Sequence, residues 1–171
     1  MDIITPLYIT GYGKIVSINR MDVCTSQANL QQFNAKNAES ILDFLIEDWK
    51  MYGIPSYLQV DNEAAFRGSL YHPRSFGKMV RFCLNFGVQM IFIPFNEPWR
   101  NAHIESFNGR FQKLVWHSQR FTDLNQLRIE SAKFRDQHNN YQFYRSQNFK
   151  KVPFIGYSQS FLPKDFQFDT S

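Results

Sequence analysis

Two carboxylates in this chain stand where a fold can aim them. The run Tyr57-Leu-Gln-Val60 stops at Asp61-Asn62, so Asp61 reads as a residue at a strand terminus. The stretch Pro94-Phe-Asn-Glu-Pro98-Trp-Arg-Asn101-Ala-His-Ile-Glu105-Ser-Phe-Asn108 reads as a strand end, a Pro-punctuated loop and a helix whose first turns carry Glu105. Acidic groups at strand ends and helix starts can converge on a divalent cation. Phosphoryl transfer at a nucleic-acid backbone asks for little more: an in-line nucleophile and two metal ions about 3.5–4 Å apart. Taken singly, each residue has a plainer reading, Asp61 as an Asx turn and Glu105 as compensation of the helix dipole. Taken together, and in a chain with a basic second half, they point to metal held against phosphate.

For a third carboxylate the residues offer Asp2 and Asp22. The choice depends on the elements. Residues 1–8 form a short strand broken at Pro6, Gly11-Tyr-Gly13 a turn, Ile15–Ile18 a second strand and Ser26–Phe33 a third. Ala38, Ile41, Leu42, Leu45, Trp49 and Tyr52 recur at helical spacing between an N-cap at Asn37 and a stop at Gly53. Residues 55–60 are a strand leading into Asp61, 76–86 a helix ended by Gly87, and 88–93 a buried strand stopped by Pro94. A third helix covers 101–118. A fourth begins near Asp123, with Leu124, Leu127, Ser131, Phe134, His138 and Tyr141 as its packing seam. The order β-β-β-α-β-α-β-α-α predicts an α/β fold with a mixed sheet flanked by helices. With Asp22 on the first strand, a single strand would precede the first helix; with Asp2 there, three do. The order therefore favours Asp2, leaving Asp22 as a solvated strand-end residue.

Composition narrows the function. The first 63 residues hold four Lys/Arg against eight Asp/Glu, and the remaining residues fifteen against seven. The −4 and +8 halves suit a phosphodiester enzyme, with cations for the backbone and carboxylates for metal. Apolar residues make up 43% of the chain, which argues against a disordered polypeptide, and the 18 Phe, 8 Tyr and 3 Trp are read mainly as core. Cys24 and Cys83, outside any CxxC or Cys/His pattern, argue against structural zinc and fit a reducing cytoplasm. No apolar run is long enough for a membrane span, and no signal pattern opens the chain.

From Asp2 to about Tyr157 the sequence resembles the catalytic core of DDE transposases and retroviral-type integrases, above all insertion-sequence transposases. Asp2-Ile-Ile-Thr-Pro is similar to the family's first-strand Asp, followed by a small polar residue and Pro. Arg20-Met-Asp22 is similar to a non-catalytic step at the end of its second strand. Val60-Asp61-Asn62-Glu63 resembles the family's Asp-Asn-Gly, with Glu63 in the glycine position. Pro94 to Asn108 resembles its Pro-rich approach to Asn-x-x-x-Glu-x-x-Asn, here Asn101, Glu105 and Asn108. Gln137-His-Asn-Asn-Tyr, Arg145 and Val152-Pro-Phe-Ile-Gly-Tyr157 are similar to its closing segment.

The resemblance implies a ribonuclease H-like fold with a five-stranded mixed sheet, a catalytic core over 1–157 and a C-terminal tail over 158–171. It implies Asp2, Asp61 and Glu105 as catalytic ligands of two Mg²⁺ or Mn²⁺ ions, with Asp2 shared between them. Asn108 would lie near the DNA end or brace the site, Gln112 shares its face, and Arg110 and Lys113 read as phosphate contacts or solvated charges. The stretch from Arg67 to Ser75 reads as a surface insertion, in preference to a DNA-contacting loop, and His103 as a histidine at the helix start without a ligand role. The implied activity is DNA end nicking followed by strand transfer of the 3′-hydroxyl, on transposon ends and target DNA. The protein would act as a homodimer or larger assembly in the cytoplasm, on the nucleoid when bound. The other readings are a metal-dependent nuclease and an inactive DNA-binding remnant of a transposase.

Overall fold

A computed structural model describes residues 1–61, 66, 77–94, 96–146 and 160–168. The chain falls into two compact units, Met1–Ala35 with Trp99–Ile155 and Lys36–Pro98 with Gly156–Ser171.

The first unit opens with an antiparallel sheet of β1 (Asp2–Ile9), β2 (Gly13–Met21) and β3 (Ala28–Phe33), with β2 in the centre. The β1–β2 turn needs positive φ at Gly11 (83°) and Gly13 (80°), which glycine adopts without a Cβ clash. Pro6 does not break β1. The strand runs on, and the ladder shifts register between Ile4 and Leu7, where a residue without an N–H leaves the pairing irregular. In β2, Ile15, Val16, Ser17, Ile18 and Asn19 are all buried, on both faces of the strand.

Two helices complete this unit. A 3₁₀ turn, Pro98–Asn101, leads into α3 (Ala102–Phe111). The stretch expected to remain α-helical to residue 118 instead loosens into a π-helical turn, Gln112–Trp116, with the His117 N–H bonded to the Gln112 carbonyl at 2.9 Å. The long α4 (Leu124–Ser146) starts at Asp123, whose Oδ1 accepts the Gln126 N–H at 2.8 Å. Ile104, Phe107 and Phe111 of α3 and Leu124, Leu127 and Phe134 of α4 close one core with Ile15 and Leu30 of the sheet. The α4 seam holds as far as His138; Tyr141, expected within it, is 52% exposed. On the outer side of β3, Asn139 receives the Ala28 N–H at 2.8 Å and donates to the Ala28 carbonyl at 2.9 Å, and Arg128 donates to the Gln32 carbonyl.

The second unit contains α1 (Ala38–Tyr52), β4 (Tyr57–Val60), α2 (Lys78–Asn85) and β5 (Gln89–Phe92). The Asn37 side chain caps α1 by accepting the Ser40 N–H at 2.9 Å, and Gly53 ends it with φ 90°. β4 and β5 pair in parallel, Tyr57 opposite Gln89 and Val60 opposite Phe92. Trp49 of α1 stacks on Phe82 of α2 at 4.9 Å, and Phe86, Phe166 and Phe168 extend the aromatic cluster. Residues 160–168 are thus packed chain: the Ile54 N–H bonds to the Ser160 carbonyl at 2.7 Å, and Leu162 is buried.

The architecture is α/β, and all five expected strands are present. The described ladders arrange them as a three-stranded and a two-stranded sheet. The expected core-to-tail boundary at 157/158 lies outside the described residues, as do Glu63, the stretch from Arg67 to Ser75 and the closing segment Val152–Tyr157. Among the described residues, no helix is long and apolar enough to cross a membrane.

Candidate functional site

Asp2 is the first residue of β1 and is half-buried. Its Oδ1 accepts the Ile3 N–H at 2.8 Å, and its Oδ2 accepts Nδ2 of Asn108 at 2.6 Å. A donor on each oxygen fixes the plane of the carboxylate. Asn108 belongs to α3, one turn beyond Glu105 and on the same face, and is 7% exposed. The bond from Asn108 therefore sets Asp2 beside the helix face that carries Glu105. Glu105 itself is exposed, in the first turn of α3.

Behind Asn108 lies a row of buried polar side chains. Gln32 Nε2 donates to Ser17 Oγ at 3.2 Å, Ser17 Oγ to Asn19 Oδ1 at 2.7 Å, and Asn19 Nδ2 to Asn108 Oδ1 at 2.8 Å. The ladder explains why they meet. Ser17 pairs with Gln32 across β2–β3, and Asn19 pairs with Asp2 across β1–β2. Alternate residues share a face, so Ser17 and Asn19 project with Ile15 toward the helices. Nothing in the sequence reading pointed to Ser17, Asn19 or Gln32. Their one visible signal was two polar residues inside the apolar run Ile15-Val-Ser-Ile-Asn19.

The Asn108 amide is engaged internally at both ends, Oδ1 accepting from Asn19 and Nδ2 donating to Asp2. Arg110 and Lys113 are exposed, and Gln112, the first residue of the π-turn, is half-buried. Asp22 has a turn role. Its Oδ1 accepts the Cys24 and Thr25 N–H groups, each at 2.8 Å, and its backbone bonds to Ser26 and Gln27 close the β2–β3 turn. Asp61 follows Val60 at the end of β4, half-buried, in the second unit. Among the described residues, no three His, Cys, Asp or Glu side chains group closely enough to hold a metal ion.

One groove of the first unit, of about 630 Å³, runs between the β2–β3 turn and the start of α3, lined by Thr25, Ser26, His103, Ser106, Arg110 and His138. His138 is 5% exposed, lies edge-on to Phe107 at 4.9 Å, and bonds through Nε2 to the Ser26 carbonyl at 3.0 Å. Burial lowers its pKa below the ordinary 6.5; the Ser26 carbonyl opposes that shift and the Arg110 charge adds to it.

Residues 86–143, which include β5, α3 and most of α4, match the family model described as "Integrase core domain". The chain also superposes on the HTLV-2 integrase catalytic core domain, solved in complex with magnesium in a trimeric form. That match has a TM-score of 0.52 and 13% identity over 91% of this chain and 88% of the other. The fold is that of an integrase catalytic core. A second solved structure of similar fold is the simian T-cell lymphotropic virus intasome in complex with PP2A regulatory subunit B56 gamma. It matches with a TM-score of 0.57 and 13% identity over 99% of this chain and 57% of that one, so the present chain spans little more than half of it. A comparison with curated protein sequences finds no match. The matched integrase-core segment contains Glu105 and Asn108, whereas Asp2 and Asp61 lie before it in the sequence.

Proposed function

We propose that this chain is the catalytic core of a DNA transposase or integrase, a polynucleotidyl transferase that nicks a DNA end and joins it to a target. The observation that carries the reading is the Asn108–Asp2 bond, which fixes one carboxylate beside the helix face bearing Glu105. In this reading the five strands form one ribonuclease H-like mixed sheet, and Asp61 joins Asp2 and Glu105 as the third ligand.

The donor set fits a hard cation. Asp2, Asp61 and Glu105 offer only carboxylate oxygens, the ligands that Mg²⁺ prefers over imidazole or thiolate. A pair of Mg²⁺ ions bound there would offset charge on the attacking and leaving oxygens of an in-line displacement. The protein's own share is orientation. Asn108 and the Ile3 amide keep the Asp2 oxygens aimed, while Arg110 and Lys113 hold backbone phosphates beside α3, with Gln112 contributing on the same side. In the first reaction a water attacks the phosphodiester at the element's end and releases a 3′-hydroxyl. In the second that hydroxyl attacks a target phosphodiester, forming one P–O bond and breaking another. Two DNA ends call for at least a homodimer, working in the cytoplasm on the nucleoid.

The test is joining of a labelled duplex end to a second duplex in Mg²⁺, with Asp61→Asn and Glu105→Gln alongside the unaltered chain. Joined product from the unaltered chain alone supports the transferase. Cleavage without joining would leave the nuclease reading. DNA binding that is indifferent to both substitutions, with neither cleavage nor joining, would leave the remnant.

A further inference from the structure

The row Gln32–Ser17–Asn19–Asn108–Asp2 has a direction. Gln32 enters it through an amide N–H, so Ser17 accepts there and gives its own proton to Asn19 Oδ1. That leaves Asn19 Nδ2 as the donor to Asn108 Oδ1, and Asn108 Nδ2 as the donor to Asp2. An ionised carboxylate only accepts, so both ends of the row are one-way. Ser17 and Asn19 are 0% exposed, Gln32 2% and Asn108 7%, so water does not compete for these bonds, and buried chains of this kind polarise one another.

We propose that Asn19 is a positioning residue for the Asp2 carboxylate. Its amide, fixed from behind by Ser17 and Gln32, turns Asn108 so that Nδ2 and not Oδ1 meets Asp2. The part of this inference that concerns metal rests on the proposed function; the orientation of Asn108 does not. Asp2 alone would leave Asn108 held at one end of its amide. Asn19 holds the other end, and β2, buried on both faces, holds Asn19.

The decisive substitution is Asn19→Asp, which keeps the shape and reverses one contact. The new carboxylate accepts from Ser17 as before, but it meets Asn108 Oδ1 oxygen to oxygen. If Asn108 turns over to donate to it, Oδ1 then faces Asp2. One of the two contacts is then repulsive, unless the new carboxyl holds its proton and donates it to Asn108 Oδ1, as burial favours.

The experiment follows the Asn108 side-chain amide resonances of the full-length ¹⁵N-labelled chain, identified by their loss in Asn108→Ala, together with Mn²⁺ titration. Asn19→Asp should move those resonances and weaken Mn²⁺ binding about tenfold or more, with circular dichroism unchanged; Ser17→Ala should move them less. A residue that merely fills space would tolerate the isosteric change, so a folded Asn19→Asp chain with unmoved resonances and an ionised carboxyl at that position, read from its ¹³C shift, overturns the proposal. Unmoved resonances with that carboxyl protonated support it, because the proton restores the donor. Should Asn19→Asp fail to fold, unmoved resonances in Ser17→Ala overturn it equally. Should the unaltered chain bind no Mn²⁺, the metal reading of Asp2 falls, and the resonances alone decide the role of Asn19.

Discussion

Asn108 Nδ2 lies 2.6 Å from Asp2 Oδ2, which ties the third helix to the first residue of the first strand. The bond joins a buried amide to an acidic group, and such charge-assisted bonds are about twice as strong as neutral ones.

Removing that amide should cost both stability and metal binding. Asn108→Ala takes the donor from Asp2 and leaves Asn19 Nδ2 without its buried acceptor. Urea unfolding should show a loss of about 1–3 kcal/mol. Mg²⁺ affinity should fall about 10–100-fold, measured by calorimetric titration of folded protein.

Asp2 and Asp22 should separate cleanly. Asp22→Asn keeps an oxygen for the Cys24 and Thr25 N–H groups, so the turn should survive with a change of about 0.5 kcal/mol or less and unaltered Mn²⁺ binding. Asp2→Asn should abolish binding. The reverse outcome in a Mn²⁺ titration would move the site to the β2–β3 turn.

Acidification should destabilise the fold through His138. Its folded pKa is lowered below 6.5, so between those two values the unfolded chain binds more protons than the folded one. The contribution of the neutral ring is therefore complete above about pH 6.5 and is lost as pH falls toward the lowered value. Thermal midpoints measured from about pH 7 down to about pH 5 should decline, and His138→Gln should flatten the decline.

Asn37→Ala removes the acceptor for the Ser40 N–H at the start of α1. A loss of about 1 kcal/mol is expected in denaturant unfolding, with no effect on Mn²⁺ binding.

Most of the fold could be read locally. Asn37 and Gly53 mark the ends of α1 by chemistry confined to a few residues, and Gly87, at φ 71°, turns the chain from α2 toward β5. Features set by tertiary packing were not legible. Pro6 reads as a break, yet pairing with β2 carries β1 through it. The helix beginning at Ala102 shows no residue that announces the π-turn at Gln112, which comes where Val115 and Trp116 turn into the core. Counting strands favours Asp2, and the resemblance to the integrase Asn-x-x-x-Glu-x-x-Asn pattern singles out Asn108. Asn19 was invisible because its partner lies 89 residues away, and an isolated asparagine in an apolar strand has no sequence signature for that.

Asn139 and Arg128 do more than dock a helix. The outward backbone of β3 at Ala28 is taken by Asn139, the Leu30 N–H by the Asn29 side chain, and the Gln32 carbonyl by Arg128. An exposed edge strand is ordinarily a template for another chain. A second molecule cannot lengthen this sheet through β3 without first displacing those side chains. Growth into fibrils along that edge is barred while α4 stays folded, so protection against self-templating depends on the helix that also closes the core.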